Sequence, residues 1–232
     1  MALKSTMSAK SRLKTVLTED RRINLYFVMA RGVICALQAT RGIDKVLVVT
    51  ACDQIERLCL QLGVSVIRQA RDAGTALAFD HAVQAIRQNG YTCPERLLMI
   101  AGDLPLVSTP ALEAFIEESC DSPSVSIIAD QRRLGTNALL CSPLDAIRPR
   151  FGIDSFRRHV DAALANGATM RVVESDSLSL DIDTPEDLDG LMALYRSVPG
   201  SISNNELRQW LFSGDSFRSK NSTELRKHAI CV

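Results

Sequence analysis

Two short stretches of this chain carry carboxylates at spacings that could do chemistry. Asp103 lies in Ala101-Gly102-Asp103-Leu104-Pro105, directly after the apolar run 96–101. Such a run reads as a buried strand. In an open α/β sheet, ligands bind beyond the carboxyl ends of the strands, so a carboxylate placed there faces a ligand crevice. Gly102 permits close backbone approach and Pro105 stops the strand. Asp181 and Asp183 flank Ile182, and in an extended segment that alternation sends both carboxylates to one side and the isoleucine to the other. Like charges so placed repel each other unless a cation joins them. Hard oxygen ligands of this kind suit Mg²⁺, which takes one or two carboxylates together with phosphate oxygens of a substrate. Each stretch also has a plain structural reading. Asp103 would cap a turn, and 180–187 would be an acidic loop entering a capped helix.

Cations stand near the start of the chain, at Lys4, Lys10, Arg12 and Lys14. At a loop or helix start they could grip a polyphosphate, Arg through its planar fork and Lys as a point charge. A solvated face or an organelle transit peptide, with no acid before Glu19, fits the same spacing. Gly135-Thr136-Asn137 and Phe151-Gly152-Ile153-Asp154-Ser155 each place a glycine near a hydroxyl, and the second runs into a predicted helix whose amino end favours an anion. Alone, both are ordinary turns. The chain holds no G-x-x-x-x-G-K-[ST] loop, no G-x-G-x-x-G turn and no G-x-S-x-G elbow.

These residues need a scaffold, and the pattern of apolar runs predicts one. Strands are expected at 45–50, 64–68, 96–101, 125–129, 136–141 and 169–173, with helices at 19–39, 54–62, 75–89, 110–119 and 155–166. The alternation predicts an α/β fold, a mostly parallel sheet with helices on both faces. Thr109-Pro110 and Thr184-Pro185 each read as a capping hydroxyl before a proline at the first helical position. Glu186 and Asp187 add favourable charge to the second of these helices. After Val198 the composition turns polar, so 1–198 is expected to be one domain and 199–232 an appendage, with a short helix at 206–212 carrying Trp210 either onto the domain or to a partner. Only Met1-Ala2-Leu3 precede Lys4 where a whole first strand is expected, which suggests a natural start codon further upstream.

Composition narrows the partners. Lys and Arg total 27 and Asp and Glu total 27 among 232 residues, so no net field holds the chain on nucleic acid or an anionic membrane. Phosphate recognition must be local. The 7 cysteines are odd in number with no C-x-x-C pair, and the 3 histidines lack zinc-site spacing. No window approaches the ~20 apolar residues of a membrane span. A cytoplasmic protein with reduced thiols is expected. A homodimer is compatible with the sequence but not specified by it.

Taken in order, Ala9-Lys10-Ser11-Arg12-Leu13, Asp103-Leu104-Pro105-Leu106, Gly135-Thr136-Asn137-Ala138-Leu139, Phe151-Gly152 with Ser155-Phe156 and His159, and Asp181-Ile182-Asp183-Thr184-Pro185-Glu186-Asp187-Leu188 resemble the 2-phospho-L-lactate guanylyltransferase family of coenzyme F-420 biosynthesis. The resemblance covers nearly all of 4–194. It implies a Rossmann-like nucleotide-diphospho-sugar transferase fold, Mg²⁺ as cofactor, and transfer of GMP from GTP to 2-phospho-L-lactate, phosphoenolpyruvate or 3-phospho-D-glycerate. Carried onto this sequence, it implies Asp103, Asp181 and Asp183 as metal ligands, with Asp103, Lys10 and Arg12 in catalysis. Lys4, Lys10, Arg12 and Gly74 would contact the nucleotide, and Thr136, Gly152 and Ser155 the acceptor. The run Gly74-Thr75-Ala76-Leu77-Ala78 departs from the family's Gly-Leu-Asn-Ala-Ala by lacking the amide. Competing readings are a cytidylyl- or guanylyltransferase for a sugar phosphate or the molybdenum cofactor, and a nucleotide-binding regulator that has kept the fold without turnover. Relatives of the first kind carry a glycine-rich loop at the amino end, and 1–12 contains no glycine.

Overall fold

A computed structural model describes residues 1–5, 10–88, 95–118, 122–198 and 200–213. Six strands form in the order β1 (Leu47–Thr50), β2 (Ser65–Arg68), β3 (Leu97–Ile100), β4 (Ser124–Ala129), β5 (Thr136–Ser142) and β6 (Thr169–Val172). Eight α-helices accompany them among the described residues: α1 (Glu19–Ala39), α2 (Asp53–Gln61), α3 (Thr75–Gln88), α4 (Thr109–Glu117), α5 (Ser155–Ala165), α6 (Asp176–Ser179), α7 (Pro185–Ser197) and α8 (Asn205–Phe212). A 3₁₀ turn spans Ser11–Thr15. The predicted helix ends at 89 and 119 lie outside the described residues.

β1 pairs in parallel with β2, and Ala2 bridges in parallel to Val49 on the opposite edge of β1. The second sheet has the order β3-β5-β4-β6. Its strands are parallel except β5, which runs antiparallel to β3 and β4 on either side. That reversal matters to the site. The amino end of β5 lies at the carboxyl ends of β3 and β4, with Ala101 N–H donating to Asn137 O at 2.8 Å and Ala129 opposite Thr136. An apolar cavity of about 580 Å³ separates β1 from β3, beside Met1.

Period-2 alternation divides the sheet residues between two cores. Val48, Ile100, Ile128, Ala138 and Leu140 meet α1, α2 and α4 on one face. Val49, Met99, Ile127, Leu139 and Cys141 meet α3 and α5 on the other. Helices therefore cover both faces. The cap of α4 is Ser108, whose side chain accepts from Ala111 N–H, and not Thr109 as the sequence suggested; Thr109 opens the helix and Pro110 follows inside its first turn. The two hydroxyls are adjacent in sequence, and the proline is tolerated at either first-turn position because neither N–H has an intrahelical partner.

A further cluster joins the 3₁₀ turn, α1, α7 and α8 through Leu13, Leu25, Met29, Leu188, Leu191, Leu207 and Trp210. Of the two roles weighed for Trp210, the structure gives docking. The Arg21 guanidinium lies 4.2 Å from the centre of the Trp210 ring and donates to Trp210 O at 2.9 Å. Asn204 caps α8 and donates from Nδ2 to Val28 O at 3.0 Å. Gly32 makes that approach possible, because a Cβ there would stand 2.3 Å from Asn204 Nδ2. Trp210→Ala should cost about 3 kcal/mol by removing a large buried ring, and Gly32→Ala should also lower Tm by displacing Asn204. Thermal denaturation followed by circular dichroism checks both, and wild-type Tm in the two variants would mean that α8 contributes nothing to the fold.

Candidate active site

A polar cavity of about 420 Å³ opens at the carboxyl end of β3 and the amino end of β5. That volume lies in the range of small-ligand sites. Asp103, two residues past Ala101, lines it together with Asp181 and Asp183. One carboxylate oxygen from each of the three lies within 4.8 Å of the others. Leu180 and Ile182 bury in the cluster beneath α7, and their burial turns the intervening Asp181 and the following Asp183 toward the cavity. Helix α7 then fixes the segment. Its capping box joins Thr184 and Asp187, with Asp187 Oδ2 accepting from Asp183 N–H at 2.9 Å and Thr184 N–H at 2.7 Å. Arg132 braces Asp187 at 2.8 Å. Asn137 ties β5 to the preceding turn by donating to Leu178 O and Ser179 O at 3.1 and 2.9 Å.

The counter-charge is Lys10. Its Nζ stands 2.5 Å from Asp103 Oδ2 and 3.0 Å from Asp183 Oδ1, and its side chain is 4 % exposed. Burial alone would drive off its proton, but the charges of Asp103 and Asp183 outweigh that and hold it above the usual lysine range. Burial likewise works to raise Asp183, yet Lys10 and then Arg12 keep its carboxyl below the usual value. Among the described residues Asp181 has no such ion-pair partner. Burial, followed by repulsion from Asp103 and Asp183, pushes it up to about 7 against the opposing pull of Lys10. The cluster is thus short of positive charge, and its donors are all carboxylate oxygens. That chemistry fits a hard divalent cation.

The other residues singled out from the sequence are placed as follows. Lys4 and Arg12 line the same cavity, and Arg12 Nη1 lies 3.6 Å from Asp183. Thr136, Gly152 and Ser155 line it as well. Gly152 has φ +118, in the left-handed region that suits glycine, and no atom lies within 4 Å of the position a Cβ would take. Gly74 precedes α3 with φ +90 and donates its N–H to Asp72 Oδ1 at 3.2 Å; its neighbour Thr75 lines the cavity.

Asp130, at the carboxyl end of β4, also lines the cavity and escaped the sequence reading. It accepts from Leu134 N–H at 2.8 Å and so shapes the β4–β5 turn that presents Thr136. The signal was the one used for Asp103, an acid just past a predicted strand, but a hairpin acid reads first as a turn former.

With this geometry in place, comparison with known proteins is decisive for the family. Residues 1–226 match the model of the family described as guanylyl transferase CofC like. The chain belongs to that family. It is therefore a nucleotidyltransferase. The phosphoenolpyruvate guanylyltransferase of Conexibacter woesei is 33% identical over 205 residues, covering 88% of this chain and 91% of the relative. The 3-phospho-D-glycerate guanylyltransferase of Phenylobacterium zucineum is 31% identical over 189 residues, covering 81% and 85%. The crystal structure of a proposed nucleotide-diphospho-sugar transferase from Desulfovibrio desulfuricans G20 superposes with a TM-score of 0.67 at 18% identity, over 90% of this chain and 91% of that one. At that identity the likeness carries the fold alone, and it is the fold that the family resemblance implied. Among the described residues no helix is long and apolar enough to cross a membrane.

The raised Asp181 carboxyl fixes a pH dependence. The folded chain holds this proton more tightly than the unfolded chain, where the group titrates near 3.8. Its stability contribution is therefore fully present below that value and is lost as pH rises toward about 7. A cation that binds the ionised form must displace the proton. Added Mg²⁺ or Mn²⁺ should consequently raise Tm little at about pH 6 and most at about pH 8, with the dependence flattened in Asp181→Asn. Thermal denaturation across pH measures this, and a cation shift independent of pH would contradict it.

Proposed function

We propose that this family member transfers the guanylyl group of GTP to the phosphate of a small phosphorylated carboxylic acid, in coenzyme F-420 biosynthesis in the cytosol. The observation that carries the reading is the convergence, in one cavity, of four carboxylates, three of them clustered, with three cations and the glycine and hydroxyls of Gly152, Thr136 and Ser155. The names of the relatives add phosphoenolpyruvate and 3-phospho-D-glycerate as acceptors, and the family resemblance adds 2-phospho-L-lactate.

Asp103, Asp181 and Asp183 are the residues that would hold Mg²⁺. When bound, Mg²⁺ supplies charge neutralisation for the phosphates. Lys10 keeps Asp103 and Asp183 ionised. Lys4 and Arg12 supply further positive charge to the triphosphate, with Gly74 at the nucleotide side, and Thr136, Gly152 and Ser155 hold the acceptor's phosphate and carboxylate. A phosphate monoester has a second pKa near ~6, so at neutral pH the attacking oxygen is already mostly ionised. That oxygen forms the new bond to the α-phosphorus, the bond from the α-phosphorus to the bridging oxygen breaks, and pyrophosphate leaves with the electron pair. No general base is needed. This agrees with the state of His159, whose ring is fully buried with both nitrogens engaged inside the protein. Catalysis then rests on alignment and charge complementarity.

Pyrophosphate release with GTP and Mg²⁺, run in parallel with phosphoenolpyruvate, 2-phospho-L-lactate and 3-phospho-D-glycerate, tests the reading. At least one acceptor should support turnover. Asp183→Asn should lose on the order of 100-fold or more in kcat with the fold retained by circular dichroism, and Ser155→Ala should raise the acceptor KM with little change in the GTP KM. Near wild-type turnover by Asp183→Asn would remove the metal-ligand role, and a rise in the GTP KM alone would reverse the assignment of Thr136, Gly152 and Ser155 as the acceptor wall.

A further inference from the structure

His159 has no part in the chemistry above, yet it is the one fully buried histidine among the described residues, on α5, with both ring nitrogens engaged. Its Nε2 lies 2.7 Å from the Arg150 backbone N–H. A backbone amide can only donate, so Nε2 must carry the lone pair. Its Nδ1 lies 3.0 Å from Thr136 Oγ1. Burial, then the charges of Arg158 and Arg150, push the ring down to about 4, so the imidazole is neutral at physiological pH. A neutral imidazole with an accepting Nε2 carries its one proton on Nδ1. The orientation is locked by packing. The ring meets Phe151 edge-on at 4.9 Å, and Phe151 in turn packs on Phe79 at 4.6 Å. A flip about the ring axis would put carbon atoms against both polar partners.

The consequence falls on Thr136. A hydroxyl has one proton and two lone pairs. Because Oγ1 accepts from Nδ1–H, its own proton points elsewhere, and among the described residues no protein acceptor takes it. Thr136 lines the cavity beside Gly152 and Ser155. We propose that His159 is a positioning residue for acceptor binding: as the Nδ1–H tautomer it donates to Thr136 Oγ1 and thereby turns the Thr136 hydroxyl into a committed donor toward an anionic oxygen of the acceptor. This rests on the placing of Thr136 in the acceptor wall proposed above. The chain of donors runs in one direction, from the Arg150 amide through the imidazole and the hydroxyl to the substrate anion. Burial makes that direction costly to reverse, because the Arg150 N–H would then lose its acceptor.

Two substitutions separate positioning from simple packing. In His159→Asn the side-chain amide can stand where Nδ1 is and still donate to Thr136, whereas in His159→Gln the side-chain oxygen can accept from the Arg150 N–H but the donor to Thr136 is lost. Kinetics are measured with whichever of the three acids the wild type guanylylates. His159→Gln should raise the acceptor KM about tenfold, as expected for losing one oriented hydrogen bond to a charged group, with the GTP KM unchanged. His159→Asn should stay within about threefold of wild type even where its Tm falls further. The double variant Thr136→Val/His159→Gln should be no worse than Thr136→Val alone. Nitrogen-15 spectra of the histidine ring should show a protonated Nδ1 and an unprotonated Nε2 in the wild-type protein.

An Nε2–H ring, or a wild-type acceptor KM in His159→Gln alongside a raised one in Thr136→Val, overturns the positioning role and leaves the acceptor wall standing. KM values that track Tm in both histidine variants would mean that the residue only packs. An unchanged acceptor KM in Thr136→Val fails the wall itself, and the inference with it.

Discussion

Three carboxylates crowded within 4.8 Å cannot stay together uncompensated, and in this protein the buried compensation is the Lys10 ammonium, with Arg12 beside Asp183. Lys10 reaches the cluster from near the beginning of the chain, satisfies Asp103 and Asp183, and among the described residues leaves Asp181 without an ion-pair partner of its own. The geometry of everything nearby serves this arrangement. Lys10 adopts a left-handed backbone with φ 54 to deliver its side chain, a conformation that costs a non-glycine residue free energy. Leu13, one turn onward, anchors the segment in the cluster shared by α1, α7 and α8. The capping box of α7 sets the other side of the cluster by holding the Asp183 and Thr184 amides.

The sheet explains why these parts share a cavity with Thr136. With every strand parallel, the loops that face the cavity would all follow strand carboxyl ends. Because β5 runs against its neighbours, a strand beginning joins them, and Thr136 arrives on rigid backbone rather than on a loop. The same strand carries Asn137, which grips the turn before Asp181. One reversed strand therefore couples the acid cluster to the Thr136 hydroxyl.

Much of this was legible in the sequence. All six strands lie within the predicted runs or a residue or two of their ends, because buried strands are β-branched apolar runs bounded by turns and helices, and that pattern is local. The alternation around Ile182 gave the correct facing of Asp181 and Asp183, since burial of Leu180 and Ile182 enforces a period of two. What escaped lay in how particular turns and side chains are used. The direction of β5 follows from the hairpin with β4, because the residues 130–135 between the two strands are too few for the crossover that a parallel pair needs. Asp130 stands just past a predicted strand but reads first as a turn former, and His159, named only within the family resemblance, takes its place from Arg150 and Thr136, 9 and 23 residues away. The helix carrying Trp210 was expected at 206–212, but whether it docks or serves a partner was left open, because only Leu207 and Trp210 are buried on it.

The sequence separations within the acid cluster have a bearing on how the protein assembles. Lys10 meets Asp103 across 93 residues and Asp183 across 173, so neither contact exists in any local fragment. Loop-closure entropy grows only with the logarithm of length, about 0.6 kcal/mol per doubling, so the second closure is hardly dearer than the first. Its timing is another matter. Contacts of such long range form late, after local hairpins and helix-strand pairs have condensed. During synthesis the basic segment must wait while the sheet, both helical layers and finally the 181–183 segment emerge. The acid cluster is thus a product of completed folding, assembled only when the two ends of the fold have come together.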